Sequence, residues 1–252
     1  MTTETLTERL NRETAGFSPE DVIRHAGREF RDGLTLASSL GEEDQVLLDM
    51  ISKVQPDIAA FTLDTGRLFQ ETYDLMEKNR KRYAVPFHIY YPDSEAVEDM
   101  VATHGINLFY ESVANRKLCC RIRKVEPLRR ALKGKTAWIT GLRRGQSVTR
   151  SSAEFFEWDD ANQLVKVNPL AYWSLDQVKD YISRHQVEVN PLHARGFISI
   201  GCASCTRAVA PGEDIRAGRW WWERPEQREC GLHNNLQKPD RGEDREANDD
   251  RR

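Results

Sequence analysis

GLTLASSLGEEDQVLLDMISKV, residues 33–54, reads as a strand, a polar loop and a helix in that order. GLTLASSL (33–40) is a short apolar run, GEED breaks it, and QVLLDMISKV then sets its apolar residues at helical spacing. The same alternation runs outward from it. DIAAFTLDTG (57–66) is a strand entering a polar loop, RLFQETYDLMEKNRKRYA a helix, PFHIYYP (86–92) a third strand and SEAVEDMVATHG a helix. RKVEPLRRALKGK is expected to continue a helix that Cys119 and Cys120 open, TAWITG (136–141) is a fourth strand, and SLDQVKDYISRHQ (174–186) a further helix. Strands and helices alternating at these lengths predict an α/β fold, a mostly parallel sheet flanked by helices. From Gly201 onward Gly, Pro, Arg and Trp replace any period, and the charged end KPDRGEDREANDDRR is expected to be disordered.

A chain of 252 residues can bury a full core. Its net charge of −3 gives no global signature of nucleic-acid binding, so basic residues matter only where they gather, at 116–130, 143–150 and 216–228. No apolar run is long enough to span a bilayer, and the N-terminal MTTETLTERLNRETAGFS is polar. The expectation is a cytoplasmic protein that engages neither membrane nor nucleic acid. Five cysteines, an odd count without a secretion signal, argue for reduced thiols in metal or catalytic roles.

Ligands of open parallel sheets sit at the carboxyl ends of the strands. Two polar loops fall there: SSLGEED (38–44) and LDTG (63–66). The first offers hydroxyls, backbone N–H groups around Gly41 and a helix start, which suit an anion such as a nucleotide phosphate. It is not a Walker A loop. An ordinary capped helix with acids in its first turn explains it equally well, and Glu42 and Glu43 disfavour a highly charged phosphate there.

RKLCCRIRK (116–124) places two adjacent thiols among five basic residues, and GCASC supplies Cys202 and Cys205. Four thiolates from two distant segments suit tetrahedral zinc or an iron–sulfur cluster. Adjacent cysteines converge poorly on one ion but can each reach a different iron of a cubane, which favours a [4Fe–4S] cluster. Lys124, four residues after Cys120, would share its helical face and offset thiolate charge. Cys230, in the polar stretch RPEQRECGLHNN with arginines before it and His233 after it, is a candidate nucleophile.

Together, CCRIRKVEPLRRAL, GLRRGQSVTR, GCASCTRAVAPGEDIRAGRWWWE and ECGLH, with SSLGEEDQVLL and LDTGRL before them, resemble the assimilatory adenylyl-sulfate (APS) reductases, relatives of the phosphoadenylyl-sulfate (PAPS) reductases. The resemblance spans about residues 25–235, most specifically in the cysteines. It implies an adenine nucleotide alpha hydrolase-like fold with a mobile C-terminal tail. Its parts would be an N-terminal arm (1–24), a nucleotide- and cluster-binding domain (25–211), a tail carrying the nucleophile (212–235), and a disordered end (236–252). It implies that Cys230 attacks APS, expels AMP and carries an S-sulfo group that thioredoxin or glutaredoxin releases as sulfite. Cys119, Cys120, Cys202 and Cys205 would hold the [4Fe–4S] cluster. Lys124, Arg216, Arg219 and His233 would line the anion site. Ser38, Ser39, Gly41, Asp64, Thr65 and Gly66 would face the nucleotide, with Arg143 and Arg144 at its phosphate. Plant-type relatives fuse a thioredoxin-like domain after the tail; its lack here implies a separate reductant, and a homo-oligomer is expected.

Three rivals stand beside this expectation. A PAPS or dual-specificity reductase shares ECGLH, but PAPS-specific relatives usually lack the cysteine pairs. An ATP-dependent sulfurtransferase would carry an S-G-G-x-D-S type loop where this chain has SSLGEED. A non-enzymatic zinc- or nucleic-acid-binding protein is disfavoured by the charge balance.

Overall fold

The computed structural model describes residues 4–146, 152–210, 212–214 and 217–224. Its frame is a six-stranded sheet of β1 (Leu34–Ala37), β2 (Ala60–Leu63), β3 (Phe87–Tyr90), β4 (Ala137–Ile139), β5 (Phe156–Asp159) and β6 (Leu164–Val167). Their order is β3-β2-β1-β4-β6-β5. Every neighbouring pair is parallel except β5 with β6. The predicted α/β sheet therefore forms, with one antiparallel edge. That hairpin was not anticipated: each strand has four residues, and FEWD leaves Trp158 half exposed, so its period-2 signal is weak.

Alternation along the strands sorts the side chains onto two faces. Leu34, Leu36, Ala60, Ala137, Ile139, Val165 and Val167 pack on one side with α2 (Pro19–Phe30), α3 (Glu42–Val54) and α8 (Leu175–His185). Phe61, Trp138 and Leu164 pack on the other with α7 (Glu126–Leu132) through Leu128, Ala131 and Leu132. Residues 4–24 join this core, since Leu10 of α1 (Leu6–Glu13) and Val22 and Ile23 of α2 are fully buried. Strong caps fix these starts: Thr5 forms a capping box with Glu8, and Ser18 accepts from Asp21 N ahead of Pro19.

β1 lies between β2 and β4, so the chain reverses its direction of growth there and opens a crevice at the carboxyl ends of these strands. Gly141, just after β4, permits the close approach: a Cβ there would lie 2.4 Å from Asp44 Oδ1.

One helix differs from expectation. The cysteines do not open it. α6 (Val113–Cys120) starts on Ser112, whose hydroxyl accepts from Asn115 N, and ends on the two thiols. A π-helical turn, Arg121–Val125, then runs into α7. Inserting a π turn changes the phase of everything after it, so the four-residue argument for Lys124 does not apply in its simple form.

Candidate active site

The two cysteine segments meet. Cys119, Cys120, Cys202 and Cys205 line one pocket with Arg67, Phe109, Arg116, Arg123, Lys124, Ser204 and Trp220. None of the four is in a disulfide. Cys202 caps and Cys205 ends a single 3-10 turn, Ala203–Cys205, whose Ala203 N–H donates to Arg67 O at 2.7 Å. Among the described residues no three His, Cys, Asp or Glu side chains are arranged to hold a metal ion as they stand.

The electrostatics of the pocket are uneven. Burial opposes the thiolate of Cys202, yet Lys124, the hydrogen bond from Thr65, Arg219 and Arg123 together outweigh it and lower the thiol below its ordinary range. Burial lifts Cys119 in spite of Arg123, and burial together with the Cys202 charge pushes Cys205 up to about 11. Two guanidinium Nε–H groups beside these sulfurs, on Arg123 and Arg219, are buried without a hydrogen-bond acceptor among the described residues. Soft donors surrounded by cations with unspent N–H groups are suited to an anionic, sulfur-rich occupant.

The loop after β2 touches this pocket directly. Thr65 Oγ1 lies 3.2 Å from Cys202 Sγ, and Arg123 Nη1 donates to Thr65 O at 2.7 Å. Asp64 accepts from Gly66 N at 2.7 Å and from Tyr73 OH at 2.9 Å, which closes a tight turn with Gly66 at φ 69°. The loop after β1 is built differently. Ser39 donates through both N–H and hydroxyl to Asp44 Oδ2 at 2.6 Å, and Ser38 Oγ accepts from Leu40 N. Leu40 takes the left-handed conformation, φ 64°, and is buried against Leu75 and Met76. Gly41 precedes α3 at φ −73°, an ordinary backbone angle.

Arg143 and Arg144 are already engaged. Arg143 places Nε and Nη2 on Glu43 Oε1 at 2.9 and 2.8 Å, while Arg144 donates to Ala153 O and Glu154 and stacks 4.2 Å from the Tyr172 ring centroid. Arg219 is buried beside Gly201, donates to Ser199 Oγ at 3.3 Å and bridges to Thr206. Of the predicted tail, residues 217–224 pack on the pocket, with Trp220 fully buried. Cys230, His233 and Arg216 lie outside the described residues.

Sequence reasoning passed over Arg67, Arg116, Arg123 and Trp220 as pocket residues. Arg116 and Arg123 sit inside the basic run that flags the cysteines, so the signal was present. Arg67 and Trp220 lie within LDTGRL and GRWWWE, but nothing in those motifs points to the thiols; only the fold brings them there.

Residues 33–208 match the family described as the phosphoadenosine phosphosulfate reductase domain. The chain is 51% identical over 213 residues to an adenosine 5'-phosphosulfate reductase of Allochromatium vinosum, covering 84% of this chain and 83% of that one. It is 48% identical over 233 residues to the enzyme of that name from Burkholderia cepacia, covering 92% and 93%. Among solved structures, a phosphoadenylyl-sulfate reductase from Candida auris in a phosphate complex superposes at TM-score 0.71 with 33% identity, covering 82% of this chain and 99% of that one. An FMN adenylyltransferase from Candida glabrata, at TM-score 0.54 and 14% identity over 85% of this chain and 73% of that one, shares the fold.

Proposed function

The chain belongs to the phosphoadenosine phosphosulfate reductase family, and from that premise we propose that it is an assimilatory adenylyl-sulfate reductase, cleaving APS to sulfite and AMP with electrons from a protein dithiol. One observation carries the reading: Thr65, in the nucleotide-side loop after β2, lies 3.2 Å from Cys202 Sγ, so the strand-end crevice and the four-thiol pocket are one continuous site.

In this reading the Cys230 thiolate attacks the sulfur of APS. An S–S bond forms while the bond from sulfur to the AMP phosphate oxygen breaks, and AMP leaves with that electron pair. A thioredoxin or glutaredoxin thiolate then attacks Cys230 Sγ and displaces sulfite; its second thiol resolves the mixed disulfide. The two electrons come from that dithiol. Lys124 and Arg219, with Arg216 and His233, neutralise the sulfo oxygens as charge moves onto the departing phosphate. Ser38, Ser39, Gly41, Asp64, Thr65 and Gly66 face the nucleotide, where backbone N–H groups and hydroxyls orient it. Arg143 and Arg144 reach its phosphate only by releasing Glu43 and Glu154.

The donor set fits a [4Fe–4S] cluster, with Cys119, Cys120, Cys202 and Cys205 as its ligands. Such a cluster supplies a fixed charge and a covalent tie between the two segments, with no change of oxidation state required. Residues 212–235 serve as the segment that delivers Cys230, 236–252 as an appendage outside the chemistry, and the protein works as a cytoplasmic homo-oligomer. No helix among the described residues is long and apolar enough to cross a membrane.

Purified anaerobically, the chain should carry about four irons and release AMP and sulfite from APS when a dithiol reductant is supplied. Cys230→Ser should abolish both the S-sulfo adduct and sulfite. Undiminished sulfite from that variant sinks the reading. A larger kcat/KM for PAPS than for APS transfers it to the neighbouring specificity.

A further inference from the structure

Three features lie outside the assigned chemistry: the open groove between α5 (Ser94–His104) and the π turn, the Asp49–Lys53–Tyr181–His185 network, and the buried ion pair behind the thiol pocket. Nothing in the structure shows what would fill the groove, and the Asp49 network is satisfied within itself. The ion pair leads further.

Arg116, on α6 three residues before Cys119, and Glu223, near the end of the described C-terminal segment, are both almost wholly buried. They meet in a two-pronged contact, Nε to Oε1 at 2.9 Å and Nη2 to Oε2 at 2.8 Å. The Arg116 guanidinium also lies 4.7 Å from the Trp220 ring centroid, and the Arg219 guanidinium lies 4.7 Å from the same centroid. Trp220 is thus held by two cations. It sits in the left-handed region at φ 43°, a conformation that its surroundings must enforce. Arg116 interacts with Cys120 as well.

A buried ion pair stabilises little in net terms, because desolvation of both charges offsets most of their attraction. What it does well is fix geometry. The two-pronged contact leaves Arg116 one orientation, that orientation places the face for the indole, and the indole gives Arg219 the surface it stacks on. Gly201 completes the fit: a Cβ there would fall 2.4 Å from Arg219 Nη2.

We propose that Glu223 is a positioning residue, which through Arg116 and Trp220 aims the Arg219 guanidinium at the anion site beside the four thiols. The proposal rests on the reaction assigned above. It adds that the two halves of the pocket, α6 with its cysteines and the segment leading to Cys230, are locked in register by a carboxylate that touches no substrate.

The test is a double-mutant cycle read by binding rather than turnover. In the holoenzyme carrying Cys230→Ser, the affinity for APS is measured by calorimetry for Glu223→Gln, Arg219→Ala and the two combined. Expected is a roughly tenfold weakening by Glu223→Gln alone, but under twofold when Arg219 is already Ala, with iron per chain unchanged. Equal weakening in both backgrounds, no weakening at all, or loss of iron from Glu223→Gln overturns the proposal. If Glu223→Gln fails to fold, Arg116→Gln combined with Glu223→Gln, which removes both charges together, carries the same cycle. If the chain does not bind APS at all, the assigned reaction falls, and the cycle repeated with inorganic sulfite as the probe still reads Arg219.

Discussion

Charge balance around single groups decides the chemistry here, and two side chains make the case. Lys124 lines the thiol pocket and lowers the Cys202 thiol toward its thiolate. In the proposed reaction it also faces the sulfo group. Removing one preorganised cation from a developing anion costs about 10²–10³ in rate. Lys124→Ala should therefore slow sulfite release by about that factor in single-turnover assays while keeping its irons; full activity would place the lysine outside the chemistry. Asp44 presents the opposite problem, an acid buried in the crevice. Burial lifts its carboxyl from 3.8 to about 6, although Ser39 and Gly141 hydrogen bonds work against that. Between those values the native state binds the proton more tightly than the unfolded chain, so this group's contribution falls as pH rises from about 4 to about 6, by about 3 kcal/mol in all. Asp44→Asn loses the slope. Urea unfolding of both proteins across that window should show their stability difference shifting in favour of the variant as pH rises, and parallel curves would contradict the assignment.

At the level of elements, the loop after β1 and the π turn after α6 place those groups. Leu40 holds a left-handed angle, yet its side chain fills a buried site against Leu75 and Met76. Relieving the angle with glycine recovers about 1–2 kcal/mol, whereas emptying a buried leucine site costs about 2–5 kcal/mol. Packing wins, so Leu40→Gly should lower the denaturation midpoint; a rise would mean that strain dominates the loop. The π turn from Arg121 to Val125 orients Arg123 and Lys124 relative to the thiols. Deleting the exposed Arg121 should let the helix run through as a regular α-helix and turn those cations away. Circular dichroism should then show a folded protein, and sulfite release should fall about as far as in Lys124→Ala. These elements also mark how far the residues alone could be read. Apolar runs bounded by polar loops located β1, β2 and β4, which are largely buried, and also β3, an edge strand whose apolar residues stay half-buried or exposed. The π turn left no trace, since RIRKV suits a π turn and an α-helix alike. The start of α6 was missed because its signal, Ser112, stands seven residues before the first thiol.

Across the whole molecule, the thiol pocket lies inside a small apolar cluster that is distinct from the large sheet core. The sheet core is continuous from Leu10 to Val187, while Met100, Leu108, Phe109, Ile122, Trp220 and three of the cysteines form a separate apolar cluster. The cysteine pattern made the existence of this pocket legible, since thiols advertise themselves wherever they stand. Its walls were not, because Arg116 and Glu223 are 107 residues apart and only the fold makes them partners. The proposed cluster, tying Cys119 and Cys120 to Cys202 and Cys205, would close a loop of about 80 residues. A cross-link of that span restricts the unfolded chain enough to contribute about 4–5 kcal/mol. The sheet core does not depend on that tie, but the smaller cluster does, having few apolar residues and several buried charges. Anaerobic chelation of the iron should therefore act locally first. Hydrogen exchange should quicken in 108–125 and 202–223 while 34–51 and 137–139 stay protected, and the global unfolding midpoint should drop. Uniform loss of protection would mean that the two cores are one cooperative unit, and no change at all would mean that these four sulfurs hold no metal.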